Sequence, residues 1–464
     1  MDKKDIMPFH LFQHQGGHYV INIERMCASA IEETTAEALN MLLAEPELSL
    51  SSELAADLEK LRLISGNQPK KVIKTSKEPY PISTIALFLT YACNLKCIYC
   101  YEDGIKHENE ISLQEETAMQ TVDWLMVQSK QEKKLKIIFF GGEPFLNFSL
   151  MRKVVEYSEQ KANELEKTIT FYVTTNGTLF NEEVNTFLKK HNVNVTISID
   201  GTKEIQDKQR PFKNGKGSYD LVATNSHKLL QLLPDTIAHA VIVDETDPLM
   251  VNEALMKIGF SKITTGLRSR SLFDEKTKPK SSIELGEIIR MLEKEAEEWL
   301  SHTKDRDSKA LMLLLRTGNL STGLLHFLHN IHKQYPCEAG LHYAAVSCEG
   351  DVFACHRFIG VDKHKLGSVF SPDLERNIYH IPPEEYIDGC ASCFARYYCA
   401  GGCKYMNIVY GGSISEPSES FCQLNRSALE LAAYVFSLLD HKDIDFLVEH
   451  EIFPPKPCLF DFDV

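Results

Sequence analysis

The chain has 464 residues, a hydrophobic fraction of 43% and a formal net charge of −15. That length suits two to four domains, the composition is that of a folded water-soluble protein, and the charge argues against a general grip on nucleic acid, which needs basic patches to displace counterions. No stretch approaches the ~18 consecutive apolar residues of a membrane span, and "MDKKDIMPFH" lacks the apolar core of a secretory signal, so the expected setting is the cytoplasm, away from membranes.

Taken in chain order, the first block runs from residue 1 to about 78. It opens on a strand-like stretch, "GHYVINI". "TTAEALNMLL" and "SSELAADLEKLRLI" follow with helical apolar spacing, and Thr35 and Ser51 or Ser52 are placed to cap them. The basic stretch "NQPKKVIKTSKEPYP" reads as a linker.

The second block, about 83 to 300, alternates short apolar strands with helices. "TIALFLTYA", "LKIIFFGGEP", "ITFYVTTNG", "VNVTISIDG", "AHAVIVDE" and "KITTGLRS" are the strand candidates. Helices are expected over 112–129, 147–165, 181–190, 218–232, 248–258 and 282–302. Repeated strand–helix units imply a parallel sheet, hence an α/β fold whose site lies at the carboxyl ends of its strands. A helical connector (301–335), a cysteine-rich block (336–445) containing the amphipathic "RSALELAAYVFSLLDH", and a tail (446–464) complete the chain.

Thirteen cysteines are many for a chain in a reducing compartment, where metal binding explains them better than disulfides do. Three lie within 93–100 and eight within 337–422, with only Cys27 and Cys458 apart; those two read as ordinary thiols. Cys93, Cys97 and Cys100, in "CNLKCIYC", follow the first strand. Three thiolates on a four-iron cluster would leave one iron without a protein ligand, and an open position is the mark of a catalytic metal. The plainer reading is a zinc knuckle that borrows a distant fourth ligand. For the later block, two four-cysteine zinc sites are the corresponding alternative.

The motifs taken together resemble the radical S-adenosylmethionine (SAM) enzymes. "CNLKCIYC" is similar to that family's cluster motif. "FFGGEP" is similar to the segment that holds the SAM amino group, here Gly141, Gly142, Glu143 and Pro144. "TTNGT", with Asn176, and "TISIDG", with Ser198 and Asp200, resemble its third and fourth strand ends. "KEIQDKQR" resembles the segment whose Arg, here Arg210, lies near the SAM carboxylate, and Tyr99 stands where the family places backbone contacts to adenine. The implied fold is a partial (β/α)6 barrel. Small residues at 141 and 142 would let backbone approach the ligand, Glu143 could accept from the ammonium group, and Ser198 could bond the ribose.

The later block, "CEAG", "GDVFACHRFIG", "KLGSV" and "CASCFARYYCAGGC", resembles the SPASM domain of peptide-modifying members. The resemblance implies two auxiliary four-iron clusters, three in all. Cys337, Cys355 and Cys403 match the ligands of one. Cys390, Cys393, Cys399 and Cys422 match those of the other. Cys348 is read as a spectator, leaving the first auxiliary cluster open for a substrate thiolate. The likeness is greatest to thioether-forming maturases, including the SCIFF (six cysteines in forty-five) group and the quinohemoprotein amine dehydrogenase maturase. It implies a 5′-deoxyadenosyl radical that takes a hydrogen atom from a precursor peptide, then a thioether bond. The first block would be a winged-helix-like element that binds the peptide's leader as an added strand, and a flavodoxin or ferredoxin would supply the electron. Three alternatives stand beside this reading. A formylglycine-forming sulfatase maturase would carry Asp where His356 stands. A carbon–carbon crosslinking maturase shares the same motifs. A zinc-stabilised peptide-binding scaffold would have no catalysis at all.

Overall fold

The computed structural model describes residues 6–44, 51–64, 79–102, 111–243, 246–267, 272, 285–318, 320–371 and 373–455. Most of the expected linker, and Cys458, lie outside the described residues. The chain forms two compact units, one from residues within 1–74, 283–336 and 382–464, the other from residues within 75–282 and 337–381.

In the first unit, β1 (Phe9–His14), β2 (Gly17–Asn22) and β3 (Cys27–Ile31) make an antiparallel meander in that order. β1 was not anticipated. Gln15 and Gly16, both at positive φ (48° and 78°), close its hairpin with β2, as a two-residue turn matched to strand twist requires. Side chains of the central strand alternate between two cores, as a pleated strand dictates. Val20 meets Leu39, Leu42, Leu54 and Leu58. Tyr19 and Ile21 join a larger core with Trp299, Phe327, Leu429 and Val435.

Ser51 caps the helix Ser52–Lys60, its hydroxyl accepting from Leu54 N at 3.1 Å. Thr35 is not a cap. Its helix, Glu33–Ala44, begins two residues earlier with an acid in the first turn, where the helix dipole favours negative charge. The Thr35 hydroxyl instead donates to Asp57 Oδ2 at 2.9 Å. The connector supplies the helices Ser308–Thr317 and Ser321–His329. The last long helix, Glu419–Ser437, starts seven residues before the amphipathic stretch, capped by Ser418. The expected tail begins inside a further helix, His441–Glu449, and Phe453 is buried against Trp299 with ring centroids 5.5 Å apart.

The second unit is a nine-stranded sheet. Six strands run parallel in chain order: β4 (Thr84–Phe88), β5 (Lys134–Phe140), β6 (Thr168–Thr175), β7 (Asn194–Ser198), β8 (Ile237–Ile242) and β9 (Lys262–Leu267). The expected helices connect them, at Glu115–Gln128, Phe148–Glu164, Glu182–Lys190, Tyr219–Leu232 and Pro248–Ile258, with a short unexpected one at Lys203–Gln209. The sixth expected helix, Leu285–Lys304, falls in the first unit. On the other side of β4 the sheet continues through β10 (Tyr343–Val346), which is parallel to it, then β11 (Asp351–Phe353) and β12 (Lys365–Ser368), each antiparallel to the strand before it.

Strands β5 to β8 alternate in burial, whereas β4 is buried from Ile85 to Phe88. Leu135, Ile137, Phe139, Phe171, Val173, Val195, Ile197, Ala238 and Ala240 are buried. The intervening Phe140, Tyr172, Thr174, Thr196, Ser198 and His239 are half-buried. A parallel sheet covered by helices on both faces reads instead as continuous apolar runs. The threonines and serine of these strands therefore mark a second face that is not helix-covered. Among the described residues no helix is long and apolar enough to cross a membrane.

Candidate metal and cofactor site

Residues 89–102 leave β4 and carry the three clustered cysteines. The loop is pinned along its length by the segment that ends the 203–209 helix. Lys96 N donates to Pro211 O at 2.8 Å, Ile98 N to Gln209 O at 3.0 Å, and Leu95 bridges Phe212. Burial pushes the Cys93 thiol up to about 12, with Glu143, Cys97 and Glu102 adding to it. Burial likewise raises Cys97, against the opposing Arg210 guanidinium, and raises Cys100 further. Mutual repulsion of the three sulfurs contributes at Cys93 and Cys100, so they share one neighbourhood. Without a cation these thiols stay protonated. A coordinating metal reverses that balance, because a ligating thiol is deprotonated outright.

The second strand end is held against this loop. Glu143 N donates to Ala92 O at 2.8 Å. Gly141 adopts φ +96°, and a methyl group on Gly142 would run into the Ala92 carbonyl. Both positions thus need glycine so that two backbone segments can meet. The fully buried Glu143 carboxylate accepts from Thr175 Oγ1 (2.8 Å), Asn176 N (2.7 Å) and Phe145 N (3.2 Å). Burial lifts its pKa to about 7 against those donors. An ionised carboxylate offers about four acceptor sites, so one remains for a cationic ligand. Pro144 follows in a short turn of helix.

At the end of β6, Asn176 Nδ2 reaches Cys93 Sγ at 3.8 Å and Asn94 Oδ1 at 2.8 Å. Asn94 in turn donates to Thr178 Oγ1 at 2.8 Å. Ser198 ends β7, half-buried. Two residues on, Asp200 is fully buried. Its carboxylate takes Arg210 through two bonds of 3.0 Å, Val241 N at 2.9 Å and the Tyr99 hydroxyl. The Arg210 guanidinium lies 5.2 Å above the Tyr99 ring, and its charge works against the burial that raises the Cys97 thiol. Asp200 is thus engaged wholly within the protein, and Arg210 largely so. Together they brace the cysteine loop. All twelve residues expected at the first site, Cys93, Cys97, Tyr99, Cys100, Gly141–Pro144, Asn176, Ser198, Asp200 and Arg210, fall at the carboxyl ends of β4–β7 or on the loops that follow.

Two residues that the motifs did not single out as site residues lie beside them. Tyr343 Oη and His356 Nδ1 are joined at 2.8 Å, and the His356 ring sits 4.9 Å from Phe140, the residue before Gly141. Burial, with Arg357 adding, keeps that imidazole neutral, pushed down to about 3. No spacing rule finds such a pair, because its members lie on different strand ends.

The other cysteines divide. Cys390, Cys393, Cys399 and Cys422 come together in the first unit. Burial raises Cys399 to about 12, with Cys422, Cys390 and Cys393 adding, and raises Cys390 to about 11. Cys337 and Cys355 lie near Tyr343 in the second unit, whereas Cys403 belongs to the first. Cys348 is buried with its sulfur 3.4 Å from Phe88 O.

Among the described residues no three or more His, Cys, Asp or Glu side chains are arranged to hold a metal ion. The cysteine groups carry the sulfur donors that zinc and iron–sulfur centres both use, and a bound cation would offset the charge of their thiolates.

Residues 87–252 match the family model of the Radical SAM superfamily. The uncharacterized protein MJ0907 of Methanocaldococcus jannaschii is 40% identical over 134 residues, 29% of this chain and 44% of that protein. The cysteine-type anaerobic sulfatase-maturating enzyme of Clostridium novyi is 34% identical over 136 residues, 29% of this chain and 36% of that protein. The chain thus spans less than half the length of these relatives. Native anSMEcpe with bound AdoMet and Kp18Cys peptide has a similar fold, with a TM-score of 0.62, 20% identity, and coverage of 76% of this chain and 98% of that one.

Proposed function

We propose that this chain, a member of the Radical SAM superfamily over residues 87–252, is a maturase that installs thioether bonds in a ribosomally made precursor peptide. The observation that carries the reading is the trio of half-buried thiols in one loop, beside Asn176 and Arg210 at the carboxyl end of a parallel sheet. Cys93, Cys97 and Cys100 would hold a four-iron cluster with one iron left for SAM. Bound together, the two supply a one-electron route to hydrogen-atom abstraction.

The protein's part is to orient and to exclude. Glu143 offers an acceptor to the SAM ammonium group while its other acceptor sites fix the backbone at Asn176. The Asp200–Arg210 pair holds Tyr99 in place, so the loop is ordered before the ligand arrives. Ser198, at the end of β7, would bond the ribose. Tyr343 fixes the His356 ring beside Phe140, where a substrate side chain would meet it. The eight-cysteine block supports auxiliary clusters, and β1–β3 with their two helices support leader binding by strand addition. A flavodoxin- or ferredoxin-type carrier would supply the electron.

Formylglycine formation is the second reading, favoured by the sulfatase-maturating relative and by the fold shared with anSMEcpe. The imidazole at His356 favours the thioether reading, because the sulfatase-type pattern has a carboxylate there. Mass spectrometry of a cysteine-rich peptide encoded beside the gene separates the two. Thioether formation removes two hydrogens per bond and keeps every sulfur. Formylglycine formation exchanges sulfur for oxygen at a cysteine, and at a serine it leaves an aldehyde that a hydrazine reagent labels and a thioether does not. A peptide that loses sulfur would overturn the thioether reading, and an unmodified peptide would count against both.

A further inference from the structure

We infer that His239 is a further catalytic residue, the base that takes the substrate's proton when the new bond closes. This rests on the maturase reading above.

The placement follows from strand register. His239 is the third residue of β8, on the face of the sheet that no helix covers. Residues paired across parallel strands point to the same side. Ser198 of β7 therefore flanks His239 on one side and Thr264 of β9 on the other. Ser198 is the residue read as bonding the ribose, so the imidazole stands one strand away from the expected SAM site. Its ring is anchored, with Nδ1 and the Thr264 hydroxyl 3.0 Å apart. That hydroxyl has an acceptor of its own, the Ala238 carbonyl at 3.4 Å. It therefore accepts from Nδ1–H, which leaves the lone pair of the ring on Nε2. Among the described residues Nε2 has no hydrogen-bond partner.

Gly266, two residues along β9 from Thr264, keeps that atom reachable. Its φ is not positive, and a methyl group there would sit 3.5 Å from Cε1 and 3.7 Å from Nε2, an ordinary contact. Neither the backbone nor the space demands glycine at this position, whereas a longer side chain would cover Nε2. Burial, with Arg210 and Arg357 adding and Asp200 opposing, holds the imidazole below its ordinary range. The ring is therefore neutral near pH 7 and able to accept.

The reaction calls for such a group. Hydrogen-atom abstraction leaves a carbon radical. For the sulfur–carbon bond to close, the thiol S–H bond must break. Its proton goes to Nε2 and later to water. The one surplus electron goes to a one-electron acceptor, the iron–sulfur centre that the eight-cysteine block supports. Formylglycine formation requires the same loss of one proton and one electron, so the base serves either product. A neutral imidazole of fixed tautomer suits this transfer.

The test uses the full chain, reconstituted anaerobically with iron and sulfide and supplied with SAM, dithionite and the cysteine-rich peptide encoded beside the gene. The readout is modified peptide per 5′-deoxyadenosine formed, so a change in SAM cleavage alone does not move it. In His239→Gln this ratio is expected to fall by about a hundredfold or more, the lower range of general-base catalysis. In His239→Ala, added imidazole should recover part of it. Thr264→Val, which frees the ring to turn and to change tautomer, should lower it by less. An unchanged ratio in His239→Gln overturns the inference. A His239→Ala chain that imidazole leaves unimproved does so too, because a merely structural contact behaves that way. If His239→Gln does not fold, Thr264→Val decides, and a wild-type ratio there overturns the inference equally. A wild-type chain that forms 5′-deoxyadenosine and leaves the peptide unmodified would defeat the maturase reading instead.

Discussion

Cys97→Ala is expected to bring 5′-deoxyadenosine formation from SAM down to the level of an enzyme-free control, measured by chromatography after anaerobic reduction. The effect is large because the ligand set has no reserve. Three thiols share the loop, and Cys97 is the one on which the Arg210 charge bears. Alanine there removes a ligand without disturbing the strand ends around it, so far-UV circular dichroism should be unchanged. The iron attributable to Cys390, Cys393, Cys399 and Cys422 should remain. A Cys97→Ala chain that still cleaves SAM would remove the loop from the chemistry altogether.

Asp200→Ala has the second largest expected effect, and it acts through stability. The carboxylate is fully buried and receives four donors, two of them from an arginine that is itself only 7% exposed. Truncating one partner of a buried ion pair leaves a desolvated charge uncompensated, at a cost of about 3–5 kcal/mol. The midpoint of urea unfolding should fall accordingly. Tyr99 loses its brace as well, so equilibrium dialysis should show weaker SAM binding. Pairing the substitution with Arg210→Met removes the orphaned charge and should restore part of the stability but not the SAM affinity. A loss below ~1 kcal/mol, the range of exposed ion pairs, would show that the pair is not the clamp its geometry implies.

The sequence made the six parallel strands legible because each ends in a polar or glycine-bearing turn. The helices between them carry amphipathic spacing or a side-chain cap, such as Asn181 accepting from Val184 N. Most of the twelve residues expected at the first site lie near one end of the sheet because their motifs directly follow strands, whereas Arg210 ends the helix Lys203–Gln209. What escaped was of two kinds. Short elements have no period to read. Lys203–Gln209 is one, and the four- and three-residue strands β10 and β11 are others, although β10 pairs with β4 from some 250 residues away in the chain. Side-chain partnerships across the sheet were also invisible. The motif presents Arg210 as a ligand contact, but the fold gives it to Asp200. Gly142 suggests room for a ligand, but its neighbour is the carbonyl of Ala92. Thr35 has the chemistry of a cap, yet Asp57 on the next helix takes its hydroxyl.

The central claim is that Cys93, Cys97 and Cys100 hold an iron–sulfur cluster with a free iron position for SAM. Electron paramagnetic resonance of the reduced, reconstituted chain, recorded with and without SAM, tests it most directly. The expected result is a four-iron signal, absent in Cys93→Ala, whose line shape changes when SAM is added. A reduced chain with no such signal, or with one that SAM leaves untouched, would contradict the account.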